Sequence, residues 1–236
     1  MERKKITIVD VNQNTKIHKT DFSSLVLSYL VRYGDKVIYS FFLFGAILHM
    51  YPGSRALMVS LTAIVLFILL FLAFLPEVLH KNIRLMTGVF GIAIFTLLIE
   101  IIGHETGIVF GEYEYGEILG LAVFGVPILI GLLWSAIIIA CTAITTRIIS
   151  NTWISSCLAG LCAVGFDWIL EPVAIKLGYW DWEGVGVPFQ NYLAWFGITF
   201  ISSILLRKLN VEPKSLQFEK FFISLTFFMA ALFLFI

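Results

Sequence analysis

From residue 35 onward the chain is a succession of long apolar runs separated by short polar breaks. One helix crossing a bilayer needs about 20 apolar residues. Seven runs meet or approach that length: 35–51, 55–75, 84–103, 117–146, 152–176, 190–208 and 217–236. The pattern predicts an all-α, polytopic membrane bundle of about seven transmembrane helices. The fourth run is overlong, and Gly125 and Pro127 within it predict a kink or a separate interfacial piece. Ahead of the first run, residues 1–20 are charged and read as a cytoplasmic tail. From Asp21 to Tyr33, the residues Phe22, Leu25, Val26, Tyr29 and Leu30 recur at helical spacing, with Ser28 and Arg32 on the other side. That predicts a short helix lying on the membrane surface. The chain thus divides into an N-terminal tail, 1–34, and a transmembrane domain, 35–236.

Composition strengthens this reading. Hydrophobic residues make up 59 % of the chain and charged ones 14 %, with a mean hydropathy of +0.94. A soluble domain of 236 residues has too little interior to hide that much apolar surface. Net charge is zero, so nothing argues for a nucleic-acid partner. The first 36 residues lack the cationic start, apolar core and cleavage site of a signal peptide. Cys141, Cys157 and Cys162 sit within apolar runs without metal-ligand spacing and read as small buried residues. With seven spans and the N-terminus inside, 14 of the 16 basic residues face the cytoplasm, and only Arg55 and Lys176 face out. This puts the protein in the bacterial cytoplasmic membrane with its aromatic loops outside.

Nine of the 16 Asp and Glu residues fall between Glu100 and Trp195, in an otherwise apolar window. Ionisable groups at membrane depth are costly and usually mark a site. The window contains two related halves. Glu100 and His104 are four residues apart, as are Asp167 and Glu171, so each pair shares a helix face. An aromatic-x-aromatic element begins 13 residues after the first acid in each half, at Tyr113 and at Trp180. Each half then has a Gly-Val-Pro and a Trp seven residues beyond the proline, Trp134 and Trp195. The arrangement reads as a parallel helix–loop–helix duplication, 84–147 and 152–208, about an axis along the membrane normal. It would gather Glu100, His104, Asp167 and Glu171 around one cavity.

A carboxyl group in an apolar cavity beside a second carboxyl can hold its proton near neutrality and act as a general acid. Around these acids the sequence sets Tyr113, Tyr115, Trp168, Tyr179, Trp180, Trp182 and Trp195, whose ring faces attract cations. Acid and aromatic lining together suit protonation of an electron-rich alkene, with shelter for the carbocation while water adds. Aromatic residues are also ordinary membrane-interface anchors. A carboxylate-rich metal site from Glu100, His104, Asp167 and Glu171 is an alternative, since all three residue types ligate divalent metals. Four histidines, His18, His49, His80 and His104, are too few for a histidine-rich di-iron oxygenase. A retinal pigment needs a lysine inside a helix, and Lys176 and Lys220 lie near helix ends. No Gly-x-Ser-x-Gly, P-loop or His-Glu-x-x-His motif occurs. An ion or lipid transporter would need a polar path through both leaflets, and the first, second and seventh runs offer almost none.

The stretch Glu100–Phe196 carries Phe110-Gly111-x-Tyr113-x-Tyr115, Leu119-Gly120, Val126-Pro127 with Trp134, Asp167-x-x-x-Glu171-Pro172, Leu177-Gly-x-Trp180-x-Trp182, and Val187-Pro188-x-x-Asn191 with Trp195. This set resembles the CruF-type carotenoid biosynthesis family, that of the carotenoid 1,2-hydratases and bisanhydrobacterioruberin hydratase. It departs from many members at Val109, Glu112 and Gly131. The resemblance implies an integral membrane hydratase, a carbon–oxygen lyase. It would add water to the terminal isoprene double bond of an acyclic carotenoid, without a cofactor or metal. Partners would be the carotenoid, water, membrane lipid and other enzymes of the pathway. The expected catalytic residues are Asp167, as proton donor, with Glu171, Glu100 and His104. Tyr113, Tyr115, Trp168, Trp180, Trp182, Asn191 and Trp195 are the expected substrate-binding residues. Asn191 can position the water or cap the sixth span. An acid-initiated cyclase and a carotenoid-binding protein without activity are the alternatives.

Overall fold

The structure is a computed structural model, and it describes residues 22–184 and 186–236. The charged stretch 1–20 lies outside these residues. Eight helices account for most of the rest: α1 Phe22–Met50, α2 Pro52–Ser60, α3 Thr62–Leu79, α4 Ile83–Thr106, α5 Ile128–Ile148, α6 Thr152–Leu177, α7 Phe189–Lys208 and α8 Gln217–Phe235. Six of them, α3 to α8, are long and apolar enough to cross a membrane, by length and composition. The protein is therefore an all-α polytopic membrane bundle.

Local chemistry sets the helix ends. Asn82 accepts from the Leu85 N–H at the start of α4, and Asn151 accepts from the N–H groups of Trp153 and Ile154 at the start of α6. Gly107 and Gly178, at φ +65° and +72°, close the same two helices in the left-handed region. Two boundaries differ from the sequence pattern. Helix α1 runs unbroken through the polar Gly34-Asp35-Lys36, so the predicted surface helix and first span are one helix. The reason is tertiary: Asp35 is paired with Lys220 of α8 at 2.6 Å, which relieves the charge that suggested a break. The run 55–75 is divided instead at Leu61, into α2, with Pro52 in its first turn, and α3. Ser60 and Thr62 hydroxyls fold back onto the carbonyls of Leu57 and Met58 at that joint.

Helix α5 is the axis of the bundle, enclosed by α3, α4, α6, α7 and α8. The other helices turn large apolar side chains outward, among them Phe90, Phe227 and Leu234. That suits a protein solvated by lipid.

The overlong fourth run resolves into the expected separate piece plus a span. Between α4 and α5 lie β1 (Tyr113–Tyr115), a 3₁₀ turn (Glu117–Leu119), β2 (Ala122–Val123) and β3 (Val126–Pro127). Between α6 and α7 lies β4 (Trp180–Trp182). β2 and β3 form a hairpin that turns at Phe124 and Gly125, both at positive φ. β1 pairs antiparallel with β4, matching Tyr113 to Trp182, Glu114 to Asp181 and Tyr115 to Trp180. The ribbon is extended by the Gly116 N–H donating to the Tyr179 carbonyl and the Glu183 N–H donating to the Glu112 carbonyl, both at 2.9 Å.

Gly116 has to be glycine for a steric reason. A Cβ there would lie 2.3 Å from the Gly178 carbonyl oxygen, a backbone atom that cannot step aside. Gly116→Ala is expected to push β1 from β4 and cost roughly 1–3 kcal/mol, the usual penalty of overpacking. The check is the thermal midpoint of the purified protein. A midpoint equal to that of the wild type would mean the ribbon does not depend on this close approach.

Candidate active site

The ribbon β1–β4 lies over the ends of α4 and α6, and this is what brings the acids and aromatic residues together. Glu100 reaches up from the last turns of α4. Its Oε2 accepts from the Tyr113 hydroxyl in a very short hydrogen bond and from the Tyr115 hydroxyl at 3.0 Å. Burial first, and the Glu100 carboxyl second, raise both phenols above their ordinary range, so both stay protonated donors. Glu171, on α6, is the counterpart beneath the other strand. Its Oε2 accepts from Trp180 Nε1 at 2.9 Å and Trp182 Nε1 at 2.8 Å.

Asp167 lies one helical turn farther from the loops on the same face of α6. Asn191, in the first turn of α7, bridges the two acids: its Nδ2 donates to Asp167 Oδ2 at 2.8 Å and to Glu171 Oε1 at 3.3 Å. Asp167 Oδ1 has no hydrogen bond among the described residues. Asp167, Glu171, Glu100 and Asn191 are all less than 5 % exposed. Of the two sequence readings of Asn191, the helix cap fails, because the cap residue of α7 is Pro188 and the Asn191 side chain is committed to the acids.

These groups surround a cavity of about 20 Å³, closed by Tyr113, Tyr115, Trp134, Trp180, Trp182 and Trp195. About 10–15 Å³ suffices for one water, and a water needs two to four polar partners. The carboxyl groups and the Asn191 amide meet that need. Trp134 and Trp195 form the floor as a parallel stack, ring centres 3.4 Å apart and planes 13° apart, with Phe110 stacked beyond Trp195.

Two expected site residues are elsewhere. Trp168 is 66 % exposed on the outer surface, because one residue's step along α6 turns it about 100° from the Asp167 face. His104 does not line the cavity. Its ring lies behind Tyr113 and Tyr115, stacks on Tyr115 and bonds Glu114 at 3.3 Å. The Gly125 backbone approaches it so closely that a Cβ would sit 2.6 Å from the imidazole. His104 is thus a strut for the ribbon and the β2–β3 hairpin. The four-residue metal set considered from sequence does not form, and no cluster of three or more metal-ligating side chains occurs among the described residues.

Sequence reasoning missed a second, larger cavity. It has a volume of about 440 Å³ and lies among α1, α3, α5, α6 and α8, against the acid cavity. Phe42, Leu66, Leu133 and Phe228 are among its lining residues. Ile130, Leu170 and Trp180 line both cavities and form the partition between them. Phe41 and Phe44, on its α1 side, are also exposed on the outer surface, so this wall of the chamber borders the bilayer. The apolar lining carries no sequence signal that separates it from lipid-facing residues. Phe110 and Trp134, by contrast, are visible in the sequence as aromatic members of the loop motifs and only lack an assignment there.

Fold and site together define an integral membrane protein with enclosed carboxyl groups, walled by aromatic rings and separated by a thin partition from an apolar chamber. The chain belongs to the carotenoid biosynthesis protein family, whose pattern matches residues 37–236. It is similar to the bisanhydrobacterioruberin hydratase of Haloarcula japonica, with 32 % identity over 114 residues, covering 44 % of this chain and 38 % of that protein. The similarity therefore spans well under two thirds of that relative's length. No solved structure matches the chain.

Proposed function

We propose that this protein is a carotenoid hydratase, adding water to the terminal isoprene double bond of an acyclic carotenoid. The observation that carries the reading is the cavity itself: space for one water, ringed by three carboxyl groups and an amide, enclosed by aromatic rings. The polyene end enters the apolar chamber from the bilayer, and the Ile130–Leu170–Trp180 partition gives way for it to reach Asp167, since the acid cavity by itself holds one water. Asp167 gives its proton from the unbonded Oδ1 to the terminal alkene, and the tertiary carbocation forms among the rings of Tyr113, Trp134 and Trp195. Water attacks the cation, and its released proton goes to Glu171, held as the anion by two indole N–H groups and Asn191. Return of that proton to Asp167 restores the starting state. One C–H and one C–O bond form, one π bond is lost, and no electron acceptor is required. Glu100, held by two tyrosines, stabilises the cation by its charge or its dipole.

The hydratase similarity of a relative supports the reading, as does the family's role in carotenoid biosynthesis. The test is expression in a bacterium that makes lycopene, followed by mass analysis of the pigments. A product heavier by one water supports hydration. An isomer of unchanged mass and altered retention would mean cyclisation, and unchanged pigment despite a folded, membrane-inserted protein would favour a binding protein.

We also propose that α1 crosses the membrane as a seventh span, so that the N-terminus is cytoplasmic and the ribbon faces outward, in the cytoplasmic membrane. Arg147 and Arg207, at the ends of α5 and α7 opposite the ribbon, support this orientation. Reporter fusions after Arg147 and after Ile236 are expected on opposite sides, inside and outside. Both on one side would contradict it. The pairing of β1 with β4 and the Trp134–Trp195 stack, each between matching positions of the two halves, support an origin by duplication.

A further inference from the structure

The apolar chamber has one polar feature without a match. His49, near the end of α1, lines it and is 6 % exposed. Its Nδ1 lies 2.7 Å from the Gly45 carbonyl oxygen. A carbonyl can only accept, so Nδ1 carries the hydrogen and Nε2 is left as a lone pair. That Nε2 is buried and has no partner among the described residues. Buried acceptors left unpaired are uncommon and unfavourable, so each calls for a reason.

The other polar groups of the wall are spoken for. Thr62 Oγ1 and the Tyr179 hydroxyl bond each other at 3.0 Å, Trp180 gives its N–H to Glu171, and Ser40 stands at the exposed edge. The imidazole is also fixed in place. Phe228 packs edge-on against it, ring centres 5.4 Å apart, and Arg55 clamps the helix end by donating to the carbonyls of His49 and Met50. A fixed lone pair beside an apolar chamber calls for a ligand that is mostly hydrocarbon and carries one donor.

We propose that His49 Nε2 accepts a hydrogen bond from a hydroxyl group on the isoprenoid in this chamber, so that the protein holds alcohol end groups in preference to hydrocarbon ones. Among oxygenated isoprenoids the class is narrow: an ether or a ketone offers no hydrogen and gains nothing from His49. The inference rests on reading the chamber as the polyene's site. It adds that the chamber retains the hydroxylated end, the kind of end hydration produces.

The test is binding, read by tryptophan quenching of the full-length protein in lipid nanodiscs. The probes are lycopene, lycopene with a tertiary hydroxyl at one end, and the methyl ether of that alcohol. One neutral hydrogen bond predicts that the alcohol binds about fivefold more tightly than either of the others. His49→Phe keeps the ring contact with Phe228 and is expected to bring the alcohol down to the hydrocarbon's affinity while leaving the hydrocarbon unchanged. His49→Gln supplies an acceptor oxygen and is expected to recover part of the preference. It also serves as the second variant if His49→Phe does not fold. Equal affinities in the wild type, as a trapped water on Nε2 would give, or an alcohol preference that survives in His49→Phe, would overturn the role of His49 alone. Failure of all three probes to quench the wild type would overturn the chamber as the polyene's site as well.

Discussion

Asp167→Asn abolishes formation of hydroxylated carotenoid while leaving the protein folded and in the membrane; that is the largest effect expected. Asparagine keeps the shape of the side chain, and its amide oxygen can still accept from Asn191 Nδ2. It cannot give a proton to carbon. Removing a general acid typically costs 10²–10⁴-fold in rate, and with no other route to the carbocation the loss should lie at the upper end. Asp167 differs from each of the other two acids in one respect. It has an oxygen free of hydrogen bonds among the described residues, whereas Glu171 is engaged at both oxygens. Glu100 is fixed by two tyrosines on one oxygen, an arrangement suited to a stationary charge. The measurement is product formed per unit of membrane protein, normalised to expression. Retention of more than about a tenth of wild-type activity, outside that catalytic range, would move the proton donor to Glu100.

Asn191→Leu is expected to have the second largest effect, and on two readouts at once. The Asn191 amide is the donor shared by Asp167 and Glu171, and leucine is close to it in volume. Its loss leaves two enclosed carboxyl groups facing each other with nothing between them. Removing a buried partner of this kind costs about 1–3 kcal/mol, so the thermal midpoint should fall. Activity should fall by about 10²-fold, the lower end of what mispositioning a general acid costs. Full activity with a lowered midpoint would mean that Asn191 serves stability alone.

Much of this arrangement was legible from spacing. Glu100, Asp167 and Glu171 announce themselves as charges inside apolar runs, and the four-residue interval puts the α6 pair on one face. The aromatic-x-aromatic elements mark the loops that pair as β1 and β4. Spacing failed where a neighbour from a distant part of the chain decides the outcome. Asp35 interrupts the hydropathy of α1 but not the helix, since Lys220 answers it from 185 residues away. His104 shares the spacing of Glu171, yet Glu114, Tyr115 and Gly125 hold it as a strut. Trp168 fails by a single residue's rotation. The two halves also differ where the chemistry sits: three residues past the proline the first half has Ile130 and the second Asn191, both on the same cavity. A repeat pattern locates such positions, and only the packed cavity distinguishes the half that carries the amide.

The most direct measurement of the central claim follows the proton. Membranes containing the protein are incubated with lycopene in deuterium oxide, and the product is washed into ordinary water before mass analysis. Protonation of the alkene by an acid in exchange with solvent predicts one deuteron retained on carbon for every hydroxyl gained, because the hydroxyl deuteron washes out. A hydroxylated product without deuterium on carbon would contradict acid-initiated hydration.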